Sequence, residues 1–171
     1  MSRFNLSLVF EQPSATQLNP LAKDLNGWTV EDWFNDGFMG WDPENCTFFL
    51  HLETTVSTDG EDSADVLAWN FGQHGGDLKT PFEVQAILGA LFNVDAAVAF
   101  PFKSGMVLRL VDERDRVFED DPAVVNALRA IDERFALARS TPAPSPAWMN
   151  WLNVHAKAGV KASERFVEPT A

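Results

Sequence analysis

Two apolar segments separated by a polar turn constrain the fold of this chain more than any other feature. In the first, residues 46–56, alternate positions place the apolar residues Phe48, Leu50, Leu52 and Val56 on one face. Side chains of a β-strand point alternately to its two faces, so the pattern predicts a strand with one buried face. A turn with Asp59-Gly60 follows, and residues 64–71 return as a second strand. We therefore expect an antiparallel hairpin over 46–71 at the centre of a sheet.

The segment GWTVEDWFNDGFMGWD, residues 27–42, contains the start of a helix. Thr29 can cap the helix and Asp32, three residues later, can accept a hydrogen bond from the capping residue in return. Trp28 and Trp33 occupy the two positions at which a hydrophobic staple forms. The helix is expected to end near Gly37, and the large apolar residues that follow it are expected to fold inward as a loop that covers the core.

Two further helices are predicted from their start signals. Thr80 caps one that begins at Pro81 and runs to about Phe92. Another begins after Asp121 and extends over 122–137, with apolar residues along one face.

Alternating apolar residues predict a strand over 4–10 and a pair of strands over 94–102 and 106–112. The order is then β-α-β-β-α-β-β-α. This is an α+β fold: a mainly antiparallel sheet with helices packed on one face, and an extra C-terminal helix after a Pro-rich linker. The expected organisation is a single domain over 1–139, a linker over 140–146, and a C-terminal helix and tail over 147–171.

The C-terminal helix carries an apolar stripe formed by Trp148, Trp151 and Leu152. Such a stripe has to pack against protein, because a helix of this length is marginal on its own. Docking on its own domain is the expectation, and docking on a second chain, including a homodimer formed through this helix, is the alternative.

The composition limits the class of protein. At 171 residues and 46% hydrophobic, the chain suits one globular domain. No run of 18 apolar residues is present, the first residues do not resemble a secretion signal, and Cys46 is the single cysteine. We therefore expect a cytoplasmic protein without a membrane segment or an internal disulfide.

Negative charge is concentrated in one third of the chain. Residues 24–78 contain twelve Asp and Glu and no Lys or Arg. The net charge of the whole chain is −12, so the remaining residues, with thirteen acids and thirteen bases, sum to zero. Direct binding of nucleic acid or anionic lipid through this part would be opposed by repulsion.

No motif for catalysis, for a cofactor or for a metal is recognisable. The chain lacks a G-x-S-x-G elbow, a Walker loop, a dinucleotide-binding G-x-G-x-x-G and an H-E-x-x-H pair. We therefore predict no catalytic residue, no metal ligand and no cofactor. One alternative is a small enzyme whose site is assembled from His51, Glu53, Asp65 and His74. A structural or assembly subunit is the other.

The charge pattern favours a non-catalytic acidic domain for protein–protein interaction. Carboxylates interspersed with aromatic residues suit a basic protein surface, including that of a nuclease or another nucleic-acid-binding protein. Inhibitors of the immunity, anti-restriction and anti-CRISPR types use acidic surfaces of this kind, some of them as DNA mimics; the analogy is one of charge. The residues expected to contact the partner are Asp36, Trp41, Asp42, Glu44, Asp59, Glu61, Asp62 and Asp65.

Overall fold

A four-stranded antiparallel sheet and six α-helices make up the described part of the chain, an α+β fold, in the computed structural model. The structure describes residues 2–14, 16, 18–19, 21–56, 63–72, 77–137 and 159–165. The strands are β1 (Phe4–Asn5), β2 (Gly37–Asp42), β3 (Thr47–Val56) and β4 (Ala64–Phe71). The helices are α1 (Leu6–Val9), α2 (Val30–Asp36), α3 (Pro81–Phe92), α4 (Ala96–Ala99), α5 (Met106–Val117) and α6 (Pro122–Leu137), with a 3₁₀ turn at Ala162–Glu164.

The predicted hairpin is present and positions the core. The strand order is β1-β2-β3-β4, so β3 lies inside the sheet and β4 at its edge. Phe48, Leu50 and Leu52 are fully buried, as expected from the alternation of side chains. Helix α3 packs against β3, and α6 packs against α3. A register shift between Leu52 and Glu53 interrupts the pairing with β4.

All three predicted helix starts within the described residues are confirmed: the third helix, α6, begins at Pro122 as expected, and the other two begin with the predicted capping pairs. The Thr29 hydroxyl accepts a hydrogen bond from the backbone N–H of Asp32, and the Asp32 carboxylate accepts one from the backbone N–H of Thr29. Thr80 and Glu83 make the same reciprocal pair at the start of α3, where Pro81 is the first helical residue. These local signals are read reliably because each depends on residues within one turn.

The strand predicted over 4–10 is wrong beyond its first two residues. Asn5 accepts a hydrogen bond from the backbone N–H of Ser7 and caps the short helix α1. Leu6 and Val9 are therefore buried, whereas Leu8 is 59% exposed. The apolar spacing is that of one helical turn, which short segments do not distinguish from alternation.

The strand pair predicted over 94–102 and 106–112 is also wrong, because these residues form α4 and α5. Asp95 starts α4 by accepting hydrogen bonds from the backbone N–H groups of Ala97 and Val98. Gly105, with φ of 80°, precedes the first residue of α5. The left-handed conformation of Gly105 therefore leads into a helix, where a turn between the two predicted strands was expected.

Residues 37–42 form a strand instead of the predicted loop. Pairing on both sides, with β1 and β3, holds β2 extended. The expected inward orientation is correct for Met39 and Trp41, which are buried. Gly37 and Gly40 are residues that strands disfavour, so the sequence of this segment does not predict a strand. Gly40 is required because a Cβ there would clash with the Ser2 carbonyl.

In the described residues the order of strands and α-helices is thus β-α-α-β-β-β-α-α-α-α. The predicted linker 140–146 and residues 147–158 of the predicted C-terminal helix lie outside the described residues. In the part of the chain that the structure describes, no helix has the length and apolar character needed to cross a membrane.

Candidate functional site

The buried carboxylate of Asp24 accepts hydrogen bonds from the tryptophan-rich segment, the name we give to residues 27–42. Asp24 is only 6% exposed, and its Oδ2 accepts hydrogen bonds from the indole N–H groups of Trp33 and Trp69, each at 2.8 Å. Its Oδ1 accepts from the backbone N–H groups of Asn26 and Trp28, each at 2.9 Å. Burial raises the pKa of Asp24, although these four hydrogen bonds act in the opposite direction. Asp24 is therefore part of the framework and not of an accessible acidic surface.

Trp41 also belongs to the core. The side chain is 3% exposed, and its ring lies 4.9 Å from the ring of Phe48 and 6.4 Å from that of Phe118. The tryptophan expected to contact a partner thus contributes its area to internal packing. Its exposed surface is too small to anchor another protein.

Asp42 is the last residue of β2, and Glu44 lies in the turn that follows. The Asp42 carboxylate accepts hydrogen bonds from the Asn45 side chain and from the backbone N–H of Glu44, which lower the pKa of Asp42. Glu44 is exposed. Six residues of strand separate this turn from Asp36, so the two parts of the predicted set are about 20 Å apart.

Asp36 and Asp65, in contrast, line one groove. The groove has a volume of about 670 Å³. It follows the C-terminal part of β3, which extends past the last residue pair between β2 and β3, that of Gly37 with Leu52. We call it the acidic groove. Its lining residues are Asp36, Phe38, Glu53, Thr54, Thr55, Ser63, Asp65 and Arg165.

Two arginines from outside the acidic stretch partly neutralise this groove. Arg165 forms ion pairs with Asp32 and Asp36. Arg3 lies 2.6 Å from the Glu53 carboxylate, and its guanidinium lies 3.8 Å from the centre of the Phe38 ring. The net negative charge around the groove is therefore lower than the run of acidic residues in the sequence suggests.

Asp65 is exposed and accepts a hydrogen bond from the Thr55 hydroxyl at 2.8 Å. Within the described residues it forms no ion pair. Three other expected contacts, Asp59, Glu61 and Asp62, belong to the segment between β3 and β4 that lies outside the described residues.

The residues of the enzyme alternative are only partly brought together. His51 and Glu53 lie on the same face of β3, and burial lowers the pKa of His51, against the raising effect of Glu53. His74 lies outside the described residues. Among the residues that are described, no three His, Cys, Asp or Glu side chains form a group that could hold a metal ion.

A buried ion network was not predicted from the sequence. Arg114 is fully buried and forms ion pairs with Asp115 and Asp132, each at 2.8 Å, and it donates to the Lys79 carbonyl. Burial alone would lower the pKa of Arg114, but the two carboxylates outweigh it and raise the pKa. The network joins α5 to α6, and no local pattern connects residues 18 positions apart on two helices.

Five residues that line the acidic groove were not expected as site residues from the sequence: Phe38, Thr54, Thr55, Ser63 and Arg165. Arg3, at the border of the groove, was not expected either. Glu53 was identified only as part of the enzyme alternative. The alternation in β3 could have placed Glu53 beside Thr55, but Arg3 and Arg165 come from distant parts of the chain.

Comparisons with models of known protein families, with curated proteins and with solved structures yield no match for this chain.

Proposed function

We propose that this protein is a non-catalytic acidic binding domain that docks its acidic groove on the basic surface of another protein. The observation that carries the proposal is the meeting of Asp36, Glu53 and Asp65 around one groove, although they are up to 29 positions apart in the sequence. Carboxylates gathered in a concave surface attract a basic partner more strongly than the same charges spread over the molecule.

A carboxylate beside an aromatic ring makes the groove suited to guanidinium groups. Arg3 shows this arrangement inside the molecule, since its guanidinium contacts both the Glu53 carboxylate and the Phe38 ring. A partner's arginine meeting the same combination would gain an ion pair and a cation–π contact. This supports a partner that presents arginine or lysine, as the nucleic-acid-binding cleft of a nuclease does.

Inhibition follows if the basic surface is the one that binds nucleic acid. The acidic groove and the nucleic acid would then compete for the same site, which is how a DNA mimic acts. Charge complementarity would mainly speed association and favour this partner over others.

The experiment uses the full chain on a solid support to capture proteins at low salt. One variant, Asp36→Asn with Glu53→Gln and Asp65→Asn, neutralises the groove. A matched variant, Glu119→Gln with Asp120→Asn and Glu133→Gln, removes the same charge from exposed residues outside the acidic stretch.

The expected result is that the native chain and the matched variant capture the same basic protein, that the groove variant does not, and that duplex nucleic acid displaces the captured protein. Equal capture by the two variants would contradict the proposal, because binding would then follow total charge instead of the groove.

A further inference from the structure

Residues 159–165, which we call the strap, end at Arg165, which lines the acidic groove. The carbonyl of Val160 accepts a hydrogen bond from the indole N–H of Trp28 at 2.8 Å. The backbone N–H of Ala162 donates to the carbonyl of Asn26 at 2.9 Å. Gly159 lies so close to the Asn26 side chain and the Ala68 carbonyl that a Cβ would clash with both. The strap is thereby attached to the loop that precedes α2.

Arg165, at the end of the strap, reaches the groove itself. Its guanidinium forms ion pairs with Asp32 and Asp36, which are four residues apart and so lie on one side of α2. The same guanidinium lies 5.7 Å from the centre of the Trp28 ring. The backbone of Arg165 forms an isolated antiparallel bridge with Val56, at the end of β3. Arg165 therefore spans the gap between α2 and β3.

The contacts of Arg165 are those that a basic partner would make. They consist of a guanidinium, two carboxylates and an aromatic ring, and Asp36 is one of the carboxylates that line the groove. An arginine from outside cannot take the position of Arg165 at the Oδ2 atom of Asp36 while Arg165 occupies it. The exposed side chain of Arg165, at 42%, makes exchange for another cation accessible from solvent.

We propose that Arg165 is an internal competitor: it occupies the arginine-binding end of the acidic groove, and an arginine of the basic partner replaces it on binding. This inference rests on the proposed function, and it names arginine as the side chain that the groove takes from its partner. Arg165 then sets a threshold, because only a surface that offers several cations gains enough to displace it.

The size of the threshold follows from the exposure of the ion pairs. An exposed pair changes an equilibrium constant by a factor of about five at most. Loss of Arg165 should therefore raise the affinity for a basic ligand by about two- to fivefold. A change of this size is measurable if the general effect of removing one positive charge is controlled.

The experiment measures the affinity of a fluorescent nona-arginine peptide for the full chain at low salt. Arg165→Gln is the main variant, because glutamine removes the charge and retains part of the aliphatic stem, and Arg165→Ala is the second. Lys161→Ala is the matched control, since Lys161 is an exposed residue of the same strap. Thermal unfolding of every variant confirms that the fold is retained.

A double-variant cycle separates competition from simple charge. If Arg165 occupies Asp36, Asp36→Asn should weaken binding more in the Arg165→Gln background than in the native chain. In the Lys161→Ala background it should weaken binding by the same factor as in the native chain. We expect this coupling, together with tighter binding for both Arg165 variants.

Equal effects of Asp36→Asn in all backgrounds, or unchanged affinity in the Arg165 variants, would overturn the inference while leaving the proposed function intact. Failure of the proposed function would look different. In that case the groove variant would bind the peptide as tightly as the matched variant that lacks Glu119, Asp120 and Glu133.

Discussion

Trp28 donates its indole N–H to the carbonyl of Val160, a residue 132 positions further along the chain. Trp28 is also the residue that precedes the cap of α2, so one side chain links the beginning of a helix to the strap. The contact gives the tryptophan-rich segment a structural role, because it orders distant parts of the chain around a buried carboxylate.

Removal of residues 140–171 tests how much that link stabilises the fold. The truncated chain should lose several kcal/mol of unfolding free energy and tend to aggregate, because Trp28 would lose its partner and apolar area would be exposed. Thermal and urea unfolding measure the loss. A monomeric fragment 1–139 with an unchanged melting temperature would contradict this prediction.

Asp24→Asn should destabilise the protein by about 2–4 kcal/mol. An asparagine has one acceptor oxygen where the aspartate has two, so its amide N–H groups would face the indole N–H groups of Trp33 and Trp69, or the backbone donors. Urea unfolding followed by tryptophan fluorescence measures the change. Asp120→Asn, at an exposed position, is the control and should shift stability by about 0.5 kcal/mol or less. Similar stability of the two variants would show that the four hydrogen bonds matter little.

Arg114→Met should cost about 3–5 kcal/mol, because it leaves Asp115 and Asp132 without their buried partner. Arg116→Met removes the exposed ion pair with Asp112 on the same helix and should cost about 0.5 kcal/mol or less. Denaturant unfolding of the two variants gives both values. If the two losses are equal, the network is not a significant part of the stability.

The pH dependence of stability should include a contribution from His51. Burial lowers the pKa of His51 below its ordinary value of 6.5 in the folded state. As the pH falls below about 6.5, the unfolded chain takes up a proton at His51 before the folded chain does, so this contribution to stability is lost. His51→Gln should therefore lose less unfolding free energy than the native chain between pH 7.5 and pH 5.5. Parallel losses would mean that His51 does not titrate abnormally.

The sequence predicts most reliably where its signals are local. The capping pairs at Thr29 and Thr80, and the alternation in β3, depend on neighbours a few residues away, and the structure contains all three. Strand β2 was missed because its extended form depends on pairing with β1 and β3, and neither partner can be recognised from Gly37–Asp42 alone.

The candidate site was predictable only in part, for the same reason. The concentration of acids identified the region, but Asp24 lies in the core and Asp36 lies about 20 Å from the turn that follows Asp42. The neutralising arginines, Arg3 and Arg165, come from the two ends of the described chain. Charge along a sequence therefore overestimates charge at a surface, because it omits the partners that folding brings in.

The most direct test of the account is the binding of the nona-arginine peptide by the two charge-matched variants, followed by fluorescence anisotropy at low and at high salt. We expect that Asp36→Asn, Glu53→Gln and Asp65→Asn together weaken binding about tenfold at low salt, since each exposed ion pair contributes about 0.2–1 kcal/mol. The matched variant at Glu119, Asp120 and Glu133 should bind nearly as well as the native chain, and high salt should remove the difference. Equal weakening in the two variants would contradict the account.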